Sequence, residues 1–158
     1  MKTIRSKLFS SYAALSLLII LLLGLGLTWY VRSFYLQVVQ DRLVEEAHLT
    51  GELLKPDLLA HLSGTANKDT DTYIEYLGEK TNARITLIDP DGLVIGDSAE
   101  DANRMDNHLA RPEVKQAREQ KSGISLRYSR TINQEMLYCA VSVHDKKQLV
   151  GYLRLSIP

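Results

Sequence analysis

The chain has one cysteine, one tryptophan, two phenylalanines and four prolines in 158 residues, and no acidic residue among its first 31. A lone cysteine excludes an intramolecular disulfide, although an oxidising compartment stays compatible with the sequence. Cys139 lies in the apolar run 136–143 and reads as a small buried hydrophobe rather than a reactive thiol. The formal charge is zero, from 19 basic and 19 acidic residues, so no basic field points to nucleic acid. The histidines, His48, His61, His108 and His144, are scattered without metal-ligand spacing and read as exposed or capping residues. No glycine-rich phosphate loop follows a strand, no G-x-S-x-G surrounds Ser98, and no nucleophile has a visible activating base. We expect no catalytic residue, no metal site and no cofactor.

What is present is an uncharged run of 24 residues, 8–31, behind Lys2, Arg5 and Lys7. A helix of that length spans about 36 Å, enough to cross a ~30 Å hydrocarbon core with some tilt. Three bases precede the run and only Arg32 follows it closely, which places the N-terminus in the cytoplasm and the remainder outside. A cleaved signal peptide would have a shorter apolar core and a small-residue cleavage site. This run ends in Leu27-Thr28-Trp29-Tyr30-Val31-Arg32, with two aromatics suited to the lipid–water boundary, which favours an uncleaved anchor. Beyond it, 127 residues carry 16 bases against 19 acids, a formal −3. That length suits one compact domain plus an attached helix.

The helical pattern continues past the anchor. Leu36, Val39, Leu43, Ala47, Thr50 and Leu54 step by three or four residues along one face. This stripe is expected to cover a domain core and is a candidate contact with a second copy. Pro56 is expected to break or restart the helix, leaving a short segment over 56–62. Polar residues 63–71 read as a loop, and Thr72-Tyr73-Ile74-Glu75 fits a capping box opening a helix to about Lys80, with Tyr73, Tyr76 and Leu77 on one face.

From residue 83 the period changes to that of strands. Strands are expected over 84–89 and 93–96, joined by the turn Asp89-Pro90-Asp91-Gly92, in which proline pre-sets φ and glycine permits the return. That turn resembles the start of a calcium loop but lacks the third acid and the closing glutamate. Residues 98–109 are polar and irregular. Asp97, Glu100 and Asp101 could gather a divalent cation but read better as a solvated acidic loop. Arg111-Pro112-Glu113 opens a helix ending near Gly123. Strands over 124–130, 134–143 and 148–157 follow, with connections short enough for antiparallel neighbours. The fold class is α+β: a transmembrane helix continuing into a long helix, then a five-stranded antiparallel sheet with flanking helices.

The last three strands alternate. Leu149, Gly151, Leu153, Leu155 and Ile157 oppose Val150, Tyr152, Arg154 and Ser156; Leu137, Cys139, Val141 and Val143 oppose Met136, Tyr138, Ala140 and Ser142. Ser125, Arg127 and Ser129 oppose Ile124, Leu126 and Tyr128. One sheet face is thus apolar and the other mixed, with tyrosines and arginines. A mixed face is either ordinary solvent-facing sheet or a platform for a small polar or anionic molecule, since guanidinium offers forked donors and tyrosine a rigid ring with a hydroxyl.

Three pieces carry a resemblance. They are Arg84-Ile85-Thr86-Leu87-Ile88-Asp89-Pro90-Asp91-Gly92-Leu93-Val94-Ile95-Gly96-Asp97-Ser98 with its continuation through Met105-Asp106-Asn107-His108 to Arg111-Pro112-Glu113-Val114, then Ile124-Ser125-Leu126-Arg127-Tyr128-Ser129, and Met136-Leu137-Tyr138-Cys139-Ala140-Val141-Ser142-Val143. In this order behind an N-terminal anchor they resemble the extracytoplasmic sensor region of bacterial membrane-bound sensor histidine kinases, nearest the phosphate-regulon sensor type, with a PAS-like (Cache or PDC) fold. The resemblance covers about residues 8–158 and is strongest over 84–157. It implies a cytoplasmic stub at 1–7, a transmembrane helix at 8–31, a membrane-proximal helix at 32–62 and a sensor domain at 63–158, in the bacterial cell membrane. It also implies a kinase beyond Pro158, whose histidine, asparagine and glycine boxes are absent from this sequence. A response regulator would be met only through that kinase part. A homodimer is expected, with a small polar or anionic ligand or a partner membrane protein as the stimulus. The candidate ligand-binding residues are Arg127, Tyr138, Tyr152 and Arg154 on the mixed face, with Arg104 and His108 in the irregular segment that could close over it. Alternatives of other classes are a single-span anchored binding or adaptor module, and the sensor of a chemoreceptor or cyclic-nucleotide enzyme.

Overall fold

Helix α1 (Ile4–Leu62) opens the chain, and the computed structural model describes residues 4–65, 69–129 and 133–158. Two compact units divide it, Met1–Val39 and Gln40–Pro158. In the first, α1 is apolar on every side: Leu15, Ile19, Leu22, Leu25 and Trp29 are all exposed. Thr28 donates to the Gly24 carbonyl at 2.8 Å and Ser33 to the Tyr30 carbonyl at 3.0 Å, so these hydroxyls need no water. Among the described residues this is the one helix long and apolar enough to cross a membrane.

In the second unit α1 presents Leu43, Ala47, Thr50, Gly51, Leu54 and Leu58 as a buried stripe. From Leu43 onward the expected stripe does cover the core, while Leu36 and Val39, in the first unit, are half-buried. Gly51 lets the helix come close: a β-carbon there would lie 3.1 Å from Val143 Cγ2 and 3.7 Å from Leu153 Cβ. The expected break at Pro56 does not occur, and α1 runs through it to Leu62. Pro56 is exposed, while Leu54 and Leu58 on either side are fully buried. Burying two leucines is worth roughly 3–6 kcal/mol, enough to offset the cost of an interior proline, about 3 kcal/mol. The stop is made eight residues later. Gly64, at φ 69°, donates to the His61 carbonyl while Thr65 donates to that of Ala60. This pair of bonds satisfies the last carbonyls of the helix around a left-handed glycine.

Helix α2 (Asp69–Thr81) starts three residues before the expected capping box, so Thr72 lies inside it. Thr70 ties its first turn to α1 by donating to Asp57 Oδ1 at 2.7 Å. The packed residue of α2 is Ile74, fully buried, whereas Tyr73 and Tyr76, on the face expected to carry them with Leu77, are exposed. Period alone did not say which face of this short polar helix meets the sheet.

The sheet is β1 (Arg84–Ile88), β2 (Val94–Asp97), β3 (Ser122–Ser129), β4 (Gln134–Asp145) and β5 (Gln148–Ile157). Its order is β2-β1-β5-β4-β3, and every neighbouring pair is antiparallel. Between β2 and β3 come a 3-10 turn (Ala102–Arg104) and helix α3 (Pro112–Gln120), with Pro112 at its first position as expected. The connection expected over 131–133 falls largely outside the described residues. Ile85, Leu87, Cys139, Val141, Leu153 and Leu155 face α1 and are buried. Cys139 sits among them with its thiol pushed up to about 12 by burial first and Glu113 second, which leaves it an inert hydrophobe at neutral pH. On the opposite face α3 packs over Ile88, Ala140 and Tyr152 through Val114 and Ala117.

Candidate functional site

The register fixes what stands beside what on the mixed face. Arg154 of β5 is opposite Ala140 of β4 and Thr86 of β1; Tyr138 is opposite Ser156 and Ser125; Arg127 of β3 is opposite Met136. Helix α3 covers one end of this face. The other end is open and forms a cavity of about 520 Å³. Five arginines line it, Arg84, Arg104, Arg111, Arg127 and Arg154, against two acids, Glu100 and Asp106.

Each inner arginine is held by a buried acid. Asp97 accepts from Arg84 Nε at 2.9 Å and from the Thr86 hydroxyl at 2.7 Å, and its Oδ1 also receives the Ala99 and Glu100 amides. Thr86 in turn accepts from Arg154 Nη2 at 3.0 Å. Glu113 of α3, fully buried, accepts from Arg127 Nη2 at 2.8 Å and lies 3.8 Å from Arg154 Nη1. The Tyr138 ring lies beneath both cations, 4.0 Å from Arg127 Cζ and 5.4 Å from Arg154 Cζ. Burial first lowers Arg154 to about 10 against the raising effect of Glu113 and Asp97, so it stays cationic at neutral pH. Among the described residues four polar atoms here have no partner: Arg127 Nε, Arg154 Nε, Ser156 Oγ and Glu113 Oε2. Unpaired buried polar groups of this kind are costly unless something meets them.

The segment over the cavity is pinned by the β1–β2 turn. Asp89 Oδ1 accepts from the amides of Asp91 and Leu93, shaping the turn. Gly92, at φ 89°, offers its carbonyl to the His108 amide at 2.7 Å, and a β-carbon there would strike Asn107 and Leu109. Asn107 also donates to the Asp91 carbonyl at 2.8 Å. His108 is thereby held almost fully buried, where its isolation in sequence suggests an exposed or capping residue. Burial first, then the charge of Arg154, lowers it to about 4. Its Nδ1 lies 2.6 Å from the Asp106 carbonyl. A carbonyl only accepts, so Nδ1 carries the proton and the neutral ring keeps Nε2 as an acceptor.

Of the six candidate residues, Arg104, His108, Arg127, Tyr138 and Arg154 line this one cavity. Tyr152 does not: it is fully buried under α3 with Ile88, Val94, Val114 and Ala117, and burial raises its hydroxyl. Alternation placed it on the right face but could not reveal that α3 covers that end. Sequence reasoning missed Arg84, Arg111 and Glu113. For Arg84 the signal was available, since Arg84 and Thr86 alternate with Ile85 and Leu87 on β1. Of the three acids expected in a solvated loop, Asp97 is instead buried and holds Arg84 and Thr86, Glu100 lies 3.3 Å from Arg84 Nη1, and Asp101 accepts from the Asn103 amide at the 3-10 turn.

Solved structures share this fold. The sensor domain of the V. cholerae histidine kinase DctB matches with a TM-score of 0.65 at 21% identity, over 79% of this chain and 51% of that one. The E. coli DcuS sensor domain matches with a TM-score of 0.56 at 12% identity, over 76% of this chain and 91% of that one. The ligand-binding domain of the Campylobacter jejuni chemoreceptor Tlp3, in complex with 4-methylisoleucine, matches with a TM-score of 0.57 at 13% identity, over 80% and 52%. The chain thus spans about half the length of the DctB and Tlp3 domains. No curated protein matches it in sequence. The profile of the single Cache-like family matches residues 33–158, and the chain belongs to that family.

Proposed function

We propose that this single Cache-like chain is the input part of a bacterial membrane receptor, an extracytoplasmic sensor that binds a small anion in the arginine-lined cavity. The observation that carries the reading is the pairing of excess positive charge with unpartnered, buried polar atoms on Arg127, Arg154 and Ser156 at one end of the sheet. Guanidinium groups held in place by Asp97, Glu113 and Tyr138 lose little freedom on binding, which favours affinity. Residues 8–31 serve as an uncleaved anchor with the N-terminus in the cytoplasm. The parent protein is a sensor histidine kinase, with the phosphate-regulon type as the nearest resemblance. A ligand that favours one seating of the sheet, α3 and the His108 segment shifts the population of states, and residues 33–54 with the end of β5 pass that shift to the membrane. A homodimer is part of this reading. Leu43, Ala47 and Leu54 are spent on the sheet, so a second copy would meet α1 on its exposed side, near Leu49 and Leu53.

The test is a thermal-shift panel on the full chain in detergent, with small carboxylates, phosphate and sulfate. At least one anion is expected to raise Tm, by the equivalent of about 2.7 kcal/mol at a hundredfold excess over Kd. Arg154→Ala, if folded, is expected to abolish the shift. A panel without any shift, or shifts unchanged in Arg154→Ala, would remove the anion-sensor reading.

A further inference from the structure

We infer that Glu113 is the built-in counter-anion of the Arg127–Arg154 pair, and that an incoming anion competes with it for those two cations. Glu113 then sets the affinity of the site and couples its occupancy to the seating of α3. The inference rests on the reading of the cavity as an anion site and says how that site is tuned.

Glu113 is fully exposed to cost and not to water. It sits in the first turn of α3 with no accessible surface. Its Oε1 serves both arginines, at 2.8 Å and 3.8 Å, while Oε2 has no partner. A residue needed only to seat α3 would be apolar, as Val114 and Ala117 are on the same helix. A half-satisfied buried carboxylate is expensive for stability alone. Its evident task is charge: Arg127 and Arg154 both lie against one tyrosine ring and would repel each other without a nearby anion.

An anion arriving in the cavity meets the same two guanidinium groups, whose Nε atoms are buried and without a partner among the described residues. Two negative charges then divide one pair of cations in a desolvated site, and each weakens the hold of the other. Glu113 is carried by the first turn of α3, so displacement of its carboxylate acts on that helix. The start of α3 rests directly on β3, where a β-carbon at Gly123 would strike the Glu113 carbonyl and the Ala117 amide. Occupancy is therefore read out as a looser α3.

The experiment uses the full chain in detergent, with acetate and sulfate as probes. Calorimetric titration compares wild type with Glu113→Gln, which keeps shape and removes charge. Binding is expected to tighten about tenfold in the variant. In wild type, hydrogen exchange of the α3 amides is expected to speed up at saturating anion. A folded Glu113→Gln that binds equally or more weakly, while wild type binds, overturns the inference and leaves the anion site standing. Should the variant not fold, wild-type exchange decides: faster α3 exchange supports the inference, and unchanged or slower exchange overturns it. Uptake by neither protein removes the anion site itself, and this inference with it.

Discussion

Arg127 lies with its guanidinium carbon 4.0 Å from the centroid of the Tyr138 ring, on the neighbouring strand. The ring lies against the cation and Glu113 takes a hydrogen bond from Nη2, while Nε is buried without a partner among the described residues. Lysine at this position would keep the charge but lose the planar stack and the fork. Arg127→Lys is expected to weaken anion binding by roughly tenfold with little loss of stability, measured by titration calorimetry and thermal unfolding.

His108 gives the domain a pH dependence with a defined sign. Burial and Arg154 hold it neutral, with its folded pKa near 4 against an ordinary 6.5. The unfolded chain takes up a proton that the folded chain refuses, so its contribution is complete above pH 6.5 and is lost as pH falls toward 4. The loss is at most about 3 kcal/mol. Unfolding curves between pH 7 and 4 are expected to show this slope, and His108→Gln to flatten it.

The turn that carries the His108 segment depends on Gly92. Gly92→Ala puts a side chain at φ 89° and against Asn107 and Leu109. A loss of about 1–3 kcal/mol is expected, with raised hydrogen exchange over 105–109.

Helix α1 makes two opposite predictions two residues apart. Leu54→Ala empties a fully buried position and is expected to cost about 2–5 kcal/mol. Pro56→Ala restores an exposed interior helical residue and is expected to stabilise by about 1–3 kcal/mol. Denaturant unfolding of the two variants checks both.

The fold was legible where neighbours in sequence decide the structure. The period of two in residues 148–157 marked β5 to its ends, and Pro112 marked the start of α3. It was not legible where distant residues decide it. Pro56 looks like a stop because the packing of Leu54 and Leu58 on the sheet is a tertiary effect. Thr72 looks like a cap because the tie from Thr70 to Asp57 joins two helices. At the site, alternation assigned Arg127, Tyr138 and Arg154 to one face, and the polar 98–109 stretch pointed to Arg104 and His108. The boundary between core and cavity on that face is drawn by α3, so Tyr152 and Glu113 could not be sorted from sequence. Tyr152 went into the core, and Glu113 came to hold both arginines.

The most direct measurement is of the arginine Nε–H resonances in the full chain labelled at arginine, assigned with Arg127→Lys and Arg154→Lys. The account predicts saturable shifts of both resonances, with one common Kd, as a small anion from the panel is added. Resonances that stay fixed, or that drift linearly with ionic strength as exposed arginines do, would contradict it.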